Sequence, residues 1–222
     1  MSKRIKSYEH EGFTVEYAPE LCIHAAECVR GLPLVFDPDR RPWIDPSQAA
    51  ADAIIETIQR CPTGALQFLP AGGLPREEPD ADVTIEVVPA GPLYVRGDIR
   101  LPGPGGKVVH ETRVALCRCG ASENKPYCDN SHVARGFDDA GTLGESKLRP
   151  ADGSESPGVD VMPAPSGPLL VEGHIAVVGT DEQHIEGGRG ALCRCGASGN
   201  KPFCDGSHAR IGFETDNEEG AI

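Results

Sequence analysis

Aromatic residues, long apolar runs and positive charge are all scarce in this chain of 222 residues. Only 5% of its residues are aromatic, and no stretch approaches the ~18–20 apolar residues that span a membrane. Its 34 acidic residues outweigh 21 Lys and Arg, and the net charge of −13 disfavours binding to nucleic-acid phosphates. The basic start, residues 1–6, is not followed by the apolar segment of a signal peptide. We therefore expect a soluble, cytoplasmic protein that binds neither nucleic acid nor membrane.

Motifs of common enzymes are missing as well. The sequence contains no G-x-G-x-x-G, P-loop, H-E-x-x-H or G-x-S-x-G pattern, so we do not expect an enzyme. Glycine and proline are plentiful instead, with 27 and 20 residues. This composition favours short strands, turns and loops over a helical bundle.

The nine cysteines form three sets of three, with none left over. Structural disulfides are rare in a reducing cytoplasm, and an odd number of cysteines does not suit a closed disulfide framework. Grouped thiols in such a protein are typical metal ligands. The sets are Cys22, Cys28 and Cys61; Cys117, Cys119 and Cys128; and Cys193, Cys195 and Cys204.

The second and third cysteine sets lie in two copies of one sequence. Residues 91–137 align without a gap with residues 167–213 at an offset of 76, and 25 of the 47 positions are identical. A repeat of this length implies two units of similar architecture.

Composition and the repeat together predict the domain organisation. Stretches rich in Pro, Gly and charge, which lack apolar periodicity, are predicted to be linkers. The predicted parts are an N-terminal domain at 8–70, a linker at 71–82, a first repeat unit at 83–149, a linker at 150–158, a second repeat unit at 159–215 and an acidic tail at 216–222.

The N-terminal domain carries the signals of a small α+β fold. Alternation of apolar and polar residues indicates half-buried strands, and Asp-Pro begins a segment with one apolar helical face. The predicted elements are a strand at 13–17, a short helix after Cys22, strands near Val35 and Trp43, a helix from Asp45 to about Cys61, and a strand at 65–68. This order, βαββαβ, is a ferredoxin-like layout.

The first cysteine set has the spacing of a ferredoxin cluster with one ligand missing. Bacterial ferredoxins use a C-x2-C-x2-C run and a distant Cys-Pro. Cys22 and Cys28 occupy the first and third places of the run and Cys61 the distant one, whereas Ala25 stands in the middle place. Alanine cannot bind iron, which leaves a [3Fe–4S] cluster, a [4Fe–4S] cluster with a water or exogenous ligand, or ligation by His24. Three cysteines buried in a core without metal are a further alternative.

Three segments of this domain, residues 22–33, 41–44 and 61–66, resemble the divergent single-cluster ferredoxin family. The resemblance covers about residues 10–70 and implies an iron–sulphur electron carrier. Because of Ala25, it leaves the number of irons open.

Each repeat carries a Cys-x-Cys pair and, further on, a Cys with a His four residues later. Residues two apart on an extended segment point to the same side, and residues four apart share one face of a helical turn. Two pairs of ligands suit two metal ions or one tetrahedral ion. Spacing alone leaves an iron–sulphur cluster, a structural Cys3His zinc site and an unmetallated core open. The candidate ligands are Cys117, Cys119, Cys128 and His132 in the first repeat, and Cys193, Cys195, Cys204 and His208 in the second.

The residues just after the third cysteine of each repeat are predicted to shape this turn. Asp129 and Asp205 are candidate N-caps for the segment that carries the histidine. Gly206 is free to adopt a positive φ, and Asn130 in the first repeat is of the next most tolerant residue type.

The run C-x-C-x2-S-x3-P-x-C-D-[G/N]-S-H resembles the signature of the CDGSH iron–sulphur (mitoNEET-like) family. Every place is matched in the second repeat, and in the first only Asn130 replaces a glycine. The resemblance implies one [2Fe–2S] cluster per repeat, with one iron on the Cys-x-Cys pair and the other on the third Cys and the His. Well-known members are dimers with one motif per chain. The tandem pair therefore implies two small β-rich units that form a pseudo-dimer within a monomeric chain.

Together the residues and resemblances predict an α+β protein with two [2Fe–2S] clusters and one [4Fe–4S] or [3Fe–4S] cluster. The expected function is one-electron transfer, with the acidic surface docking on a basic redox partner. Replacing a thiolate by imidazole raises the reduction potential, and protonation of imidazole loosens a cluster in acid. Cluster storage or transfer to an apo iron–sulphur protein is thus a second function to consider, with redox sensing and a structural zinc or interaction module as further alternatives.

Overall fold

The computed structural model describes residues 4–69, 77–103, 106–151, 153 and 157–215. The chain forms two compact units, and the boundary between residues 78 and 79 lies within the predicted linker 71–82. Parts of both predicted linkers and the whole predicted tail, 216–222, lie outside the described residues. Within the described residues, every helix is too short or too polar to cross a membrane.

The first unit is an antiparallel sheet of three strands with two short α-helices. The sheet order is β1-β2-β3, and Phe13 and Val15 of β2 are buried, as the alternation predicts. Ile54 and Ile58 on one face of α2 pack in the same core. The elements are β1 (Lys6–His10), β2 (Phe13–Tyr17), α1 (Glu27–Gly31), α2 (Ala51–Gln59) and β3 (Leu66–Leu69).

The βαββαβ order is not confirmed in this unit. The two predicted middle strands are reduced to a single antiparallel bridge between Phe36 and Ile44, and the unpredicted strand β1 precedes the rest. Around this bridge the Asp45 N–H donates to the carbonyl of Val35 at 2.9 Å and the Asp37 N–H donates to that of Trp43 at 2.8 Å. The Arg40 guanidinium also donates to the carbonyls of Leu34 and Val35, at 2.9 and 2.8 Å.

The predicted helix from Asp45 to about Cys61 is also interrupted. The Asp45 carboxylate accepts the N–H of Ser47 at 3.1 Å and closes a 3-10 turn over Pro46–Gln48. Ala49 and Ala50 are extended, and α2 begins only at residue 51. The side-chain bond caps this first turn, and the extended Ala49 and Ala50 separate the turn from α2.

The second unit contains a closed barrel of four strands. β4 pairs antiparallel with β5 and parallel with β8, while β7 pairs antiparallel with β8 and parallel with β5. β6 and β9 continue from β5 and β8 as antiparallel partners. The first strand of each repeat thus pairs with the long strands of both repeats. The elements are β4 (Val83–Val87), β5 (Leu93–Pro102), β6 (Val108–Leu116), α3 (Ser131–Arg135), β7 (Val159–Pro163), β8 (Leu169–Val178), β9 (His184–Leu192) and α4 (Ser207–Arg210).

Alternating inward-facing residues fill the barrel. Burial alternates along all ten residues of β5, and the residues that face inward on β4, β7 and β8 are buried as well. The central buried residues are Val83, Ile85, Leu93, Val95, Ile99, Val159, Val161, Leu169, Val171, Ile175 and Val177. Both repeats contribute to this one apolar core.

The last part of the first repeat unit packs on the second repeat. The Gly144 N–H donates to the carbonyl of Lys201 at 2.9 Å. The side chain of Asn200 accepts from the Glu145 N–H at 2.8 Å and donates to its carbonyl at 2.9 Å. The loop that carries the second set of ligands is therefore held by the chain leaving the first.

Candidate metal centres

In each repeat, the Cys-x-Cys pair lies directly after a long strand that continues the barrel. Cys117 and Cys119 follow β6, and their Sγ atoms are 3.8 Å apart; Cys193 and Cys195 follow β9 with the same separation. Two sulphurs bound to one tetrahedral ion by bonds of about 2.3 Å are separated by about 3.8 Å. Each pair thus has the spacing of two ligands on a single ion.

The third cysteine and the histidine form a second pair in each repeat. The distance from Cys128 Sγ to His132 Nδ1 is 3.4 Å, and that from Cys204 Sγ to His208 Nδ1 is also 3.4 Å. Bonds of about 2.3 Å to sulphur and about 2.0 Å to nitrogen require a similar separation. The geometry also identifies Nδ1 as the nitrogen that faces the metal position.

The Cys–His pair is formed by a turn and not by one helical face. α3 begins at Ser131, so Cys128 lies before the helix. Asn130, with φ 74°, and Gly206, with φ 82°, adopt the left-handed conformation, which both residue types tolerate. This conformation reverses the chain and brings the histidine back to the cysteine.

The predicted N-cap role of Asp129 and Asp205 is wrong, because the N-cap positions are held by the residues that follow them. Instead, the Asp129 carboxylate accepts the N–H groups of Ser131 at 3.0 Å and Glu123 at 2.8 Å. Asp205 makes the equivalent bonds in the second repeat. Each aspartate ties the histidine turn to the loop after the Cys-x-Cys pair and thereby positions both pairs.

The four ligands of each repeat form two pairs, and each pair has the separation of two ligands on one ion. Among the described residues, no group of three or more His, Cys, Asp or Glu side chains is arranged to hold one metal ion. Thiolate and imidazole are ligand types that iron–sulphur clusters use. The residues present therefore fit an iron–sulphur cluster.

The two repeats bring their Cys-x-Cys segments into backbone contact. Cys119 and Cys195 form an antiparallel β-bridge. Gly120 and Gly196 follow them with φ of 82° and 81°. A Cβ at Gly120 would lie 2.6 Å from the Cys195 carbonyl oxygen, and one at Gly196 would lie 2.7 Å from that of Cys119. Only glycine permits this approach, which makes the two sites immediate neighbours.

A buried arginine stands between the two cysteines of each pair. Arg118 donates to the carbonyls of Gly91 and Val88 at 3.1 and 2.6 Å and forms an ion pair with Asp139. Arg194 makes the equivalent carbonyl contacts, at 3.0 and 2.7 Å. The two guanidinium groups lie over the rings of Phe137 and Phe213, at 5.0 and 5.6 Å. These contacts anchor both Cys-x-Cys segments to the barrel.

Burial disfavours the free thiolate at these sites. It raises the pKa of Cys128 to about 11 and that of Cys193 to about 11. Backbone N–H groups of Ala121 and Asn130 point at the sulphurs of Cys119 and Cys128 at 3.4 Å and partly offset this cost. A bound metal ion would offset the rest of the cost of burying a thiolate, because metal binding replaces the proton on the ligand.

Charges around His132 also act on its ring. Burial lowers the pKa of His132; the negative charge of Asp129 opposes this shift, and the positive charge of Arg118 adds to it. The field of the buried arginine therefore extends to the ligand on the other side of the site.

In the first unit, all three cysteines line one small cavity. All three are half-buried, so this site is more open to solvent than the sites of the repeats. Apolar groups form most of the remaining lining, which suits a cluster better than a hydrated ion. The lining residues are Tyr17, Cys22, Ile23, Ala25, Ala26, Glu27, Cys28, Trp43, Cys61, Pro62, Thr63, Ala65 and Leu66.

The structure distinguishes Ala25 from His24, the two residues near the place of the missing cluster ligand. Ala25 lines the cavity, at the place where a fourth thiolate would be needed. His24 is exposed and is not among the lining residues. The backbone at His24 has a φ of 58°, which turns this residue out of the run that the cysteines follow.

Two aromatic residues lie beside the cysteines of the first site. Burial and the neighbouring Cys22 raise the pKa of Tyr17, so its hydroxyl stays protonated. Trp43, near which a strand was predicted, packs edge-on against Tyr17 at 4.9 Å, and both rings line the cavity. Nothing in the sequence indicates a role for Tyr17. The repeat offset of 76 residues does show that Arg118 and Arg194 occupy equivalent positions.

Three clusters of soft ligands on two small, strand-rich units define an iron–sulphur-binding protein. Residues 8–70 match the family described as "Divergent 4Fe-4S mono-cluster". Residues 90–133 and 166–209 both match the family described as "Iron-binding zinc finger CDGSH type". The first unit thus belongs to the divergent single-cluster family, and both repeats match the CDGSH family model.

The first unit also has curated relatives. It is 33% identical over 63 residues to "Uncharacterized protein YjdI" of Escherichia coli strain K12 and, equally, to that of Escherichia coli O157:H7. The match covers 28% of this chain and 83% of each relative. The first unit is thus similar to most of the length of each relative.

Proposed function

We propose that the protein carries single electrons on three iron–sulphur clusters. The two CDGSH repeats would each hold a [2Fe–2S] cluster, and the first unit a [4Fe–4S] or [3Fe–4S] cluster. The observation that carries the proposal is the division of each CDGSH ligand set into two pairs, at 3.8 and 3.4 Å. When bound, such clusters supply reversible one-electron reduction with little movement of the protein.

The sheet topology supports an intrachain pseudo-dimer of the two repeats. β4 and β7, the first strands of the two repeats, each pair with both β5 and β8. The Cys119–Cys195 bridge and the two glycine contacts follow the same reciprocal pattern. A rigid, shared scaffold of this kind keeps reorganisation small when an electron arrives.

Metal analysis tests the proposal directly. Purified protein is expected to be coloured, to contain acid-labile sulphide and to hold seven or eight irons, depending on the cluster of the first unit. Electron paramagnetic resonance of dithionite-reduced protein is expected to show more than one cluster species. Colourless protein that contains zinc and no sulphide would refute the assignment.

Cluster transfer is a second function that one observation favours. His132 and His208 are half-exposed, whereas Cys117, Cys119, Cys193 and Cys195 are buried, so the Cys–His end of each site is the accessible one. Imidazole can take up a proton, which favours its release from a metal in acid. Incubation of loaded protein with an apo-ferredoxin at neutral and mildly acidic pH separates the two functions. Retention of all clusters over hours would exclude transfer.

Charge suggests the kind of partner. The net charge of −13 favours docking on a basic surface, either of a redox protein or of an apo iron–sulphur protein. Association that is driven in this way weakens steeply as ionic strength rises. We expect electron exchange with a basic cytochrome to slow with added salt.

A further inference from the structure

One carboxylate lies between the two CDGSH sites. Asp139 forms an ion pair with Arg118, which stands between the two cysteines of the first site. Its second oxygen lies 3.8 Å from Nζ of Lys201, in the ligand loop of the second site. Only 16% of the Asp139 side chain is exposed, so solvent screens these interactions less than on an open surface.

Both cationic partners of Asp139 are held in place by other contacts. The Arg118 side chain is fully buried, and carbonyl oxygens and the Phe137 ring fix its guanidinium. Lys201 Nζ donates to the Ser198 carbonyl at 2.6 Å. Asp139 is itself fixed, because its carboxylate accepts the Gly141 N–H at 3.0 Å. The three charges thus have a defined geometry.

The repeat offset places Thr215 where the first repeat has Asp139. Thr215 exchanges hydrogen bonds with Ser166 at 3.1 and 3.2 Å. At this aligned position the tandem pair therefore has one carboxylate and one hydroxyl. The single carboxylate contacts charged groups of both sites.

Given the proposed function, we propose that Asp139 couples the two CDGSH centres by offsetting the positive charge of both Arg118 and Lys201. Reduction adds one negative charge to a centre, so nearby positive charge favours the reduced form and raises the potential. The carboxylate weakens this effect at both centres. A change in charge at one centre thereby alters the reduction potential of the other centre through Asp139.

The test compares Asp139→Asn with Asp138→Asn. Asparagine keeps the shape of the side chain and an oxygen that accepts the existing hydrogen bonds. Asp138 is the exposed neighbour, so its substitution makes the same change in net charge away from the contacts. Dithionite titrations of loaded protein, followed by electron paramagnetic resonance, give the midpoint potential of each centre. His132→Cys and His208→Cys, which each change one centre, assign the signals.

We expect Asp139→Asn to raise both potentials, with the larger shift at the first centre, where the contact is closer and more buried. Asp138→Asn is expected to change neither by a comparable amount. Equal shifts in the two variants would mean that only net charge matters, and would overturn the coupling role of Asp139. Wild-type protein without two CDGSH-type centres would instead remove the proposed function, and this inference with it.

Lys201→Gln provides a second test that leaves the buried ion pair intact. It is expected to lower the potential of the second centre and, because Asp139 then acts on Arg118 alone, also that of the first. A shift confined to the second centre would contradict coupling, even if Asp139→Asn failed to accumulate clusters.

Discussion

The backbone contact between the two Cys-x-Cys segments predicts that Gly120→Ala destabilises the folded protein far more than a Gly→Ala substitution usually does. The new Cβ would lie 2.6 Å from the Cys195 carbonyl oxygen and 3.0 Å from its carbonyl carbon. Neither neighbour is the free end of a flexible side chain. Either the bridge between Cys119 and Cys195 must open, or the ligand segments must shift.

Two terms set the size of the effect. A non-glycine residue in the left-handed region costs roughly 1–2 kcal/mol. Overpacking against a fixed neighbour adds roughly 1–3 kcal/mol. Gly206 supplies a control for the first term, because it has the same φ of 82° but nothing within 4 Å of its ideal Cβ. The difference between Gly120→Ala and Gly206→Ala therefore isolates the close approach.

The assay is thermal unfolding of loaded protein, with far-UV circular dichroism for the backbone and visible absorbance for the clusters. For a domain of this size, 1 kcal/mol shifts the unfolding temperature by about 2–4 °C, so the excess effect is roughly 2–12 °C. Absorbance of the CDGSH clusters is expected to be lost earlier in Gly120→Ala, because the substitution displaces ligands of both sites. Gly196→Ala, with its contact at 2.7 Å, should behave alike.

Equal unfolding temperatures for Gly120→Ala and Gly206→Ala, at equal cluster content, would show that the two segments do not meet as described. A large effect of Gly120→Ala with none from Gly196→Ala would contradict the reciprocity of the contact. Either result would also argue against the proposed intrachain pseudo-dimer of the two repeats.

Three further predictions concern the ligands. Substituting His132→Cys or His208→Cys replaces a neutral ligand by a thiolate, and should lower the potential of that centre and slow its loss below pH 6, as followed by absorbance; unchanged acid loss in both variants would mean that the histidines are not ligands. Ala25→Cys should complete the first site and yield [4Fe–4S] protein without a [3Fe–4S] resonance signal; a spectrum identical to that of the size-matched Ala25→Ser protein would contradict the position of the open corner. Tyr17→Phe should keep the ring packing but lower the potential of the first centre, because the polar hydroxyl beside Cys22 is removed from the lining of the site; an unshifted potential would show that the hydroxyl does not act on the cluster.

The exposure of the ligands indicates where a partner protein can approach the sites. Electron exchange needs only close approach, whereas cluster transfer needs access to the bonds that break. The half-buried cysteines of the first unit and the half-exposed histidines of the repeats allow both. The apo-ferredoxin experiment therefore distinguishes electron transfer from cluster transfer more directly than measurements on the sites alone.

The sequence by itself determined the identity and grouping of the ligands. Spacings of two and four residues bring donors together through local backbone geometry, so Cys117 with Cys119, and Cys128 with His132, are readable without a fold. The tolerance of Asn130 and Gly206 for a positive φ was predictable for the same reason, since the conformational limits of a residue are local.

Only the tertiary structure decided which groups from distant parts of the chain act on those ligands. The strands predicted near Val35 and Trp43 are reduced to a single bridge, between Phe36 and Ile44. The bridge between Cys119 and Cys195 and the contact of Asp139 with Lys201 join residues 76 and 62 positions apart. No local rule governs such contacts, because they depend on how the barrel closes, and closure is a property of all four strands together.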